Sequence, residues 1–184
     1  HWLTAPDKHH HNQQQRHNTT TTKRSGMILR LQGFDRGVFG GNFHTHNMLS
    51  HMPPGVDVVC FSNGTDYVKG MRHALLQAKA GRVVMVVDCT HLLNLRHVHD
   101  RDRAWEFPYP SSTTVNDEEV FLGFDEIRRY DFSASTDDSS DAKIAIVSYG
   151  NGVVASLQAR KDLVEHGVLS KEADLDVIDC PFLS

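Results

Sequence analysis

The sequence predicts an α/β fold in which parallel sheets are joined by crossover helices, and three observations carry that prediction. Short runs rich in Val and Ile recur at residues 27–31, 56–61, 82–88, 144–149 and 175–180. Between them, the segments starting at Thr65 and Val153 place apolar residues at helical spacing. Each helical segment meets a glycine, Gly81 or Gly167, just before the next apolar run. Strand, helix and strand of this size imply a right-handed parallel crossover.

Residues 1–26 open on His1-Trp2-Leu3 and pass into a polar tract with His9 to His11, Gln13 to Gln15 and Thr19 to Thr22. Such a composition cannot bury enough surface to offset the entropy of ordering, and it lacks the apolar core of a signal peptide. The tract reads as a loop, and its three consecutive histidines, with no carboxylate or thiolate beside them, read as adventitious metal binders at most. Residues 27–31 form a first strand. A glycine-rich loop follows, Gly40-Gly41-Asn42-Phe43-His44-Thr45-His46, delivering an imidazole shortly before the strand at 56–61. The helix is expected over 65–80, with Tyr67, Val68, Met71, Ala74, Leu75 and Ala78 on one face, Thr65 as N-cap and Asp66 in the first turn. The near-continuous apolar run 82–88 is the pattern of a strand covered on both faces.

Residues 27–104 are thus read as one α/β unit. Residues 105–142 hold Pro108, Pro110 and ten Asp or Glu, the composition of an acidic linker crossing solvent, with a strand-like patch over 120–130. Residues 143–184 repeat the first pattern: a strand ends in Gly150-Asn151-Gly152, a helix carries Val153, Val154, Leu157, Leu163 and Val164, and Gly167 leads to the strand at 175–180.

Composition narrows the possible functions. The 184 residues are 39% apolar and 23% charged with a net charge of −4, and no apolar run approaches the ~20 residues of a membrane helix. Neither a membrane nor nucleic acid is an expected partner, because phosphate binding needs clustered Lys and Arg. The three cysteines, Cys60, Cys89 and Cys180, lie in or beside apolar runs with no Cys-x-x-Cys spacing, and read as reduced, mostly buried thiols of an intracellular protein.

Several of these stretches resemble one family in order and spacing. The glycine run with His44, the Pro54-Gly55 before the Val-rich strand, Lys69-Gly70 in the helix, residues 143–153 (Lys-Ile-Ala-Ile-Val-Ser-Tyr-Gly-Asn-Gly-Val) and Asp176-Val177-Ile178-Asp179 are similar to the β subunits of thiamine-diphosphate-dependent 2-oxo acid dehydrogenases. The resemblance covers residues 25–184. It implies an incomplete transketolase-like fold: the second half of a pyrimidine-binding domain over 27–104 and the start of a C-terminal domain from 143. It implies the decarboxylase component of a complex that oxidatively decarboxylates pyruvate or a branched-chain 2-oxo acid and passes the acyl group to lipoyl groups.

The resemblance also implies a division of labour. Thiamine diphosphate and Mg²⁺ would be held mainly by an α-type subunit or an upstream region of a fused chain; the Gly-Asp-Gly that marks that site does not occur here. A second β-type copy and a lipoyl-bearing acyltransferase would be further partners, in the mitochondrial matrix of a eukaryote or the cytoplasm of a bacterium. His44 is the residue carried over as catalytic, in handling the acyl intermediate, and an imidazole suits that task because it titrates near neutrality. A structural K⁺ would take backbone carbonyls of Ser25, Met27 and Ile28. The helix-end loop over 76–81 lacks the family's Asp and Asn and brings Lys79 instead.

Two other readings stand beside this one. A noncatalytic assembly module could keep the fold and lose the chemistry. A zinc-dependent hydrolase would use the His-x-His pairs His44/His46 and His97/His99 with Asp88 or Asp100, since alternate residues of a strand share a side. With 13 histidines in the chain, such pairs also arise by chance, and Arg96, Arg101 and Arg103 would repel a dication.

Overall fold

The computed structural model describes residues 25–33, 54–112, 120–130 and 144–184. They form two three-stranded sheets, each with a helix between two parallel strands. The α/β class with parallel strands is therefore as the sequence predicts.

In the first sheet, β1 (Met27–Gly33), β2 (Val56–Val59) and β3 (Val83–Cys89) are all parallel in the order β1-β3-β2. β3 is central, which explains its unbroken apolar run: Val84 and Val86 face one layer and Val87 and Cys89 the other, all buried. Helix α1 (Gly64–Lys79) provides the first layer through Ala74, packed with Val59, Phe61, Val84 and Val86.

The helix begins one residue earlier than expected, and its N-cap is Asn63 rather than Thr65. Asn63 has extended backbone angles and its side chain accepts the Asp66 N–H at 2.9 Å, satisfying one of the orphan donors of the first turn. Thr65 instead donates its hydroxyl to the Pro108 carbonyl at 2.5 Å. Gly81 stops the helix as anticipated, in the left-handed region at φ +92°. Gly70 serves packing: a Cβ there would lie 2.0 Å from Cζ of Phe61.

The second sheet has the order β4-β6-β5. β5 (Ile144–Ser148) runs parallel to β6 (Leu175–Asp179), and β4 (Arg128–Tyr130) runs antiparallel to β6 on its other side. Helix α2 (Asn151–Glu165) buries Val153, Val154 and Leu157 against this sheet. Its Arg160, 3% exposed, donates to the Tyr130 carbonyl at 3.0 Å and so ties the helix to β4.

Within the acidic stretch 105–142, several described residues are buried rather than solvated. Only Arg128–Tyr130 of the strand-like patch is strand. Trp105 and Tyr130 stack at 5.5 Å in the core of the second sheet, while Leu122 and Phe124 join the core of the first. The acidic composition hid this because the apolar anchors come in short clusters, at 105–107, 122–124 and 130, separated by polar stretches. After β6 the chain turns back along β2: Cys60 N–H donates to the Pro181 carbonyl, Leu183 N–H to the Val58 carbonyl, and Val59 bridges Phe182 antiparallel. The two sheets remain separate, but they share this seam.

Candidate functional site at the carboxyl ends of β2 and β3

Open parallel sheets gather ligand-binding groups at the carboxyl ends of their strands, where loops diverge and helix N-termini arrive. Here the residues after β2, the end of β3 and the first turns of α1 surround a cleft of about 810 Å³ with the loops at 92–96 and 103–109. That volume is in the range of small-molecule sites. Phe61, Tyr67, Trp105, Phe107 and Tyr109 give it aromatic walls, beside the aliphatic Val68, Leu92, Leu93 and Leu95. Trp105 meets Phe107 edge-on at 5.2 Å and donates its indole N–H to the Ser62 carbonyl at 3.2 Å, so the wall is fixed from behind.

Asp88 is the buried carboxylate of the cleft. Arg30 Nε donates to one oxygen at 2.6 Å and the Tyr67 hydroxyl to the other at 3.0 Å. Burial, then the charge of Asp88, pushes the Tyr67 phenol up to about 12, which keeps its proton in place. At the rim Arg103 holds Glu106 through two donors at 2.9 and 2.5 Å, and Arg96 stands 4.0 Å from the same carboxylate. These charged groups are therefore engaged with one another. They shape and polarise the cleft, and the described walls can seat a planar heterocycle or an acyl chain.

Behind the cleft lies a second arrangement, one with little sign in the sequence. The sulfurs of Cys60 and Cys89 are 3.4 Å apart, and the Cys89 thiol also reaches Asn151 Oδ1 at 3.5 Å. Gly150 covers the pair at φ +56°, and a Cβ there would fall 2.5 Å from the Cys89 sulfur. The glycine turn that opens the second unit is thus shaped by the ends of β2 and β3. Both cysteines belong to apolar runs, and the β2–β3 register, which ends with Val59 beside Val86, does not set them opposite each other, so their proximity is a tertiary fact.

The residues singled out from sequence divide between described and undescribed parts. His44, His46 and His51 lie outside the described residues. β1 ends at Gly33, the register partner of Cys89, so the chain leaves β1 from the same edge that carries the cleft. Ser25, Met27 and Ile28 lie at the opposite, amino edge, where Met27 N–H donates to the Arg82 carbonyl. The carbonyls of Leu76, Gln77 and Ala78 in the helix-end loop already accept backbone N–H groups. What that loop offers a cation is second lone pairs and no carboxylate.

The His97 to Arg103 loop is organised by Asp102. Its carboxylate accepts N–H groups of Val98, His99 and Ala104, while His97 Nδ1 accepts the Arg103 N–H at 2.8 Å. The same three backbone donors hold the Asp102 carboxyl below its ordinary range, against the opposing effect of desolvation. Among the described residues no group of three His, Cys, Asp or Glu converges as a metal site, and no helix is long and apolar enough to cross a membrane. Comparison with protein-family models and with curated proteins finds no match to this chain.

Proposed function

We propose that this chain is part of the thiamine-dependent decarboxylase component of a 2-oxo acid dehydrogenase, with a transketolase-like fold. The observation that carries the reading is the order of parts. A parallel β-α-β unit ends in an aromatic cleft, and a second parallel unit then opens on the strand, Gly150-Asn151-Gly152 turn and helix whose sequence resembles that family's. Residues 69–70 add to it, since Gly70 is where α1 must accept Phe61.

In this reading bound thiamine diphosphate would supply the electron sink for decarboxylation, with its diphosphate and Mg²⁺ held by an α-type partner. The aromatic walls suit a planar ring. His44 would give or take a proton at the carbonyl oxygen of the 2-oxo acid. A second β-type copy and a lipoyl-bearing acyltransferase complete the assembly, which would reside in the mitochondrial matrix or the bacterial cytoplasm.

A second reading, the noncatalytic assembly module, is favoured by Met27, Leu75 and Leu76, apolar residues that are 55%, 52% and 45% exposed at the amino edge of the first unit. One experiment separates the two. In the complete assembly His44→Ala should lower decarboxylation or acyl transfer by roughly 100-fold or more, while His46→Ala and His51→Ala serve as controls. Equal, small effects from all three substitutions would favour the scaffold.

A further inference from the structure

We propose that Cys60 and Cys89 are a redox-reactive dithiol, closed to a disulfide by peroxide entering through the aromatic cleft and reopened by a small dithiol reductant. The inference rests on their own geometry and holds whichever reaction the cleft serves.

Three features lead to it. The sulfurs are 3.4 Å apart, and a disulfide needs about 2.0 Å, so closure asks for a movement of roughly one bond length. Cys60 follows the last residue of β2 and Cys89 is the last of β3, so neither side chain is held mid-ladder. Gly150 has no side chain, and a Cβ there would fall 2.5 Å from the Cys89 sulfur and 3.1 Å from that of Cys60, so the glycine is what lets the two sulfurs lie side by side.

The two thiols also differ in access. Cys89 lines the cleft, whereas Cys60 is fully buried behind it. The Cys60 thiol is pushed well up by its hydrogen bond to Cys89 and by burial, so it stays protonated and gives up its proton only as the Cys89 hydroxyl leaves.

The steps balance as follows. The Cys89 sulfur attacks one peroxide oxygen; an S–O bond forms, the O–O bond breaks, and water leaves with the thiol proton. Sulfur is oxidised to a sulfenic acid and the peroxide is reduced. The Cys60 sulfur then attacks the Cys89 sulfur, the S–S bond forms, and the hydroxyl leaves as water with the Cys60 proton. Closure draws the Cys89 sulfur from Asn151, loosening the contact between the end of β3 and the first turn of α2.

The test uses the 184-residue chain, treated with hydrogen peroxide, blocked with an alkylating agent under denaturing conditions, and digested for mass spectrometry. The expected product is a Cys60–Cys89 linked peptide in most molecules, lost on treatment with dithiothreitol and retained in Cys180→Ser. Cys60→Ser should carry a dimedone adduct on Cys89, while Cys89→Ser should carry none on Cys60. A second measurement is stoichiometric capture of phenylarsine oxide by the untreated chain and its loss in either variant. Oxidation of Cys180 alone, with no linked peptide and no arsenical bound by Cys60 and Cys89, would overturn the proposal and leave the pair as packing.

Discussion

Asp66, in the first turn of α1, is held by Arg128 of β4 through two donors at 2.6 and 2.5 Å, so the helix of one sheet is clamped to the edge strand of the other. Asn63 extends the clamp by donating to Asp66 Oδ2 at 2.7 Å and to the Tyr130 hydroxyl at 2.8 Å. Asp66 is buried, whereas the Arg128 side chain is 39% exposed, so the pair falls between a buried and a surface ion pair. Arg128→Met should destabilise the chain by about 2 kcal/mol, because it leaves the Asp66 carboxylate buried with two donors fewer. Urea denaturation of the single and double variants checks it. Asp66→Asn with Arg128→Met should cost less than the sum of the two single changes, and strict additivity would show that the clamp carries no coupling.

Gly70→Ala should destabilise by about 1–3 kcal/mol, since the new Cβ would overlap the Phe61 ring and force it off α1. Shortening the partner tests the cause. In a Phe61→Ala background the same change at Gly70 should be neutral or slightly stabilising, because alanine favours helix over glycine. Thermal melts of the four chains give the comparison, and equal penalties in both backgrounds would count against the packing explanation.

The fold was largely legible in the sequence, because the local patterns agree with the tertiary arrangement. The β3 run looks like a strand covered on both faces and is one, and Gly81 and Gly167 end their helices with positive φ. Thr65 and Asn63 are both good caps by type, and only the Pro108 carbonyl, distant in sequence, explains why the threonine hydroxyl is used elsewhere. Trp105 and Tyr130 were hidden for a related reason: they lie far apart in the sequence, and their stacking is a long-range fact. Of the candidate site, neither the aromatic wall nor the cysteine pair could be read, because both are made by residues distant along the chain.

Asp179 should make stability depend on pH. It is 2% exposed at the end of β6, and burial, then the nearby Asp66 carboxylate, raises its carboxyl to about 7, while Arg128 and Tyr130 act in the other direction. The Ser62 hydroxyl faces it, yet neither Ser62 Oγ nor Asp179 Oδ1 completes a well-formed hydrogen bond. Because the folded state holds this proton more tightly than the unfolded state, the stabilisation is full below about pH 4 and is lost as pH rises toward 7. The contribution is bounded by about 4 kcal/mol, at 1.36 kcal/mol per unit. Urea midpoints at about pH 5 and about pH 8 should differ less in Asp179→Asn than in the parent chain. An unchanged difference would assign the pH dependence to other groups.

The isolated chain should not bind thiamine diphosphate tightly, even with Mg²⁺, because the proposed division of the site places the diphosphate and metal ligands on a partner. Calorimetric titration with the cofactor and Mg²⁺ should show no micromolar binding. Tight binding by this chain alone would contradict that division while leaving the aromatic cleft as its explanation.

The most direct test of the central claim is an activity of the assembled protein. The chain, captured with its native partners by an affinity tag, should release CO₂ from carboxyl-labelled pyruvate or a branched-chain 2-oxo acid. That release should vanish when thiamine diphosphate and Mg²⁺ are stripped and return when both are restored. An intact assembly that releases no CO₂ from any 2-oxo acid tested, with cofactor present, would contradict the account.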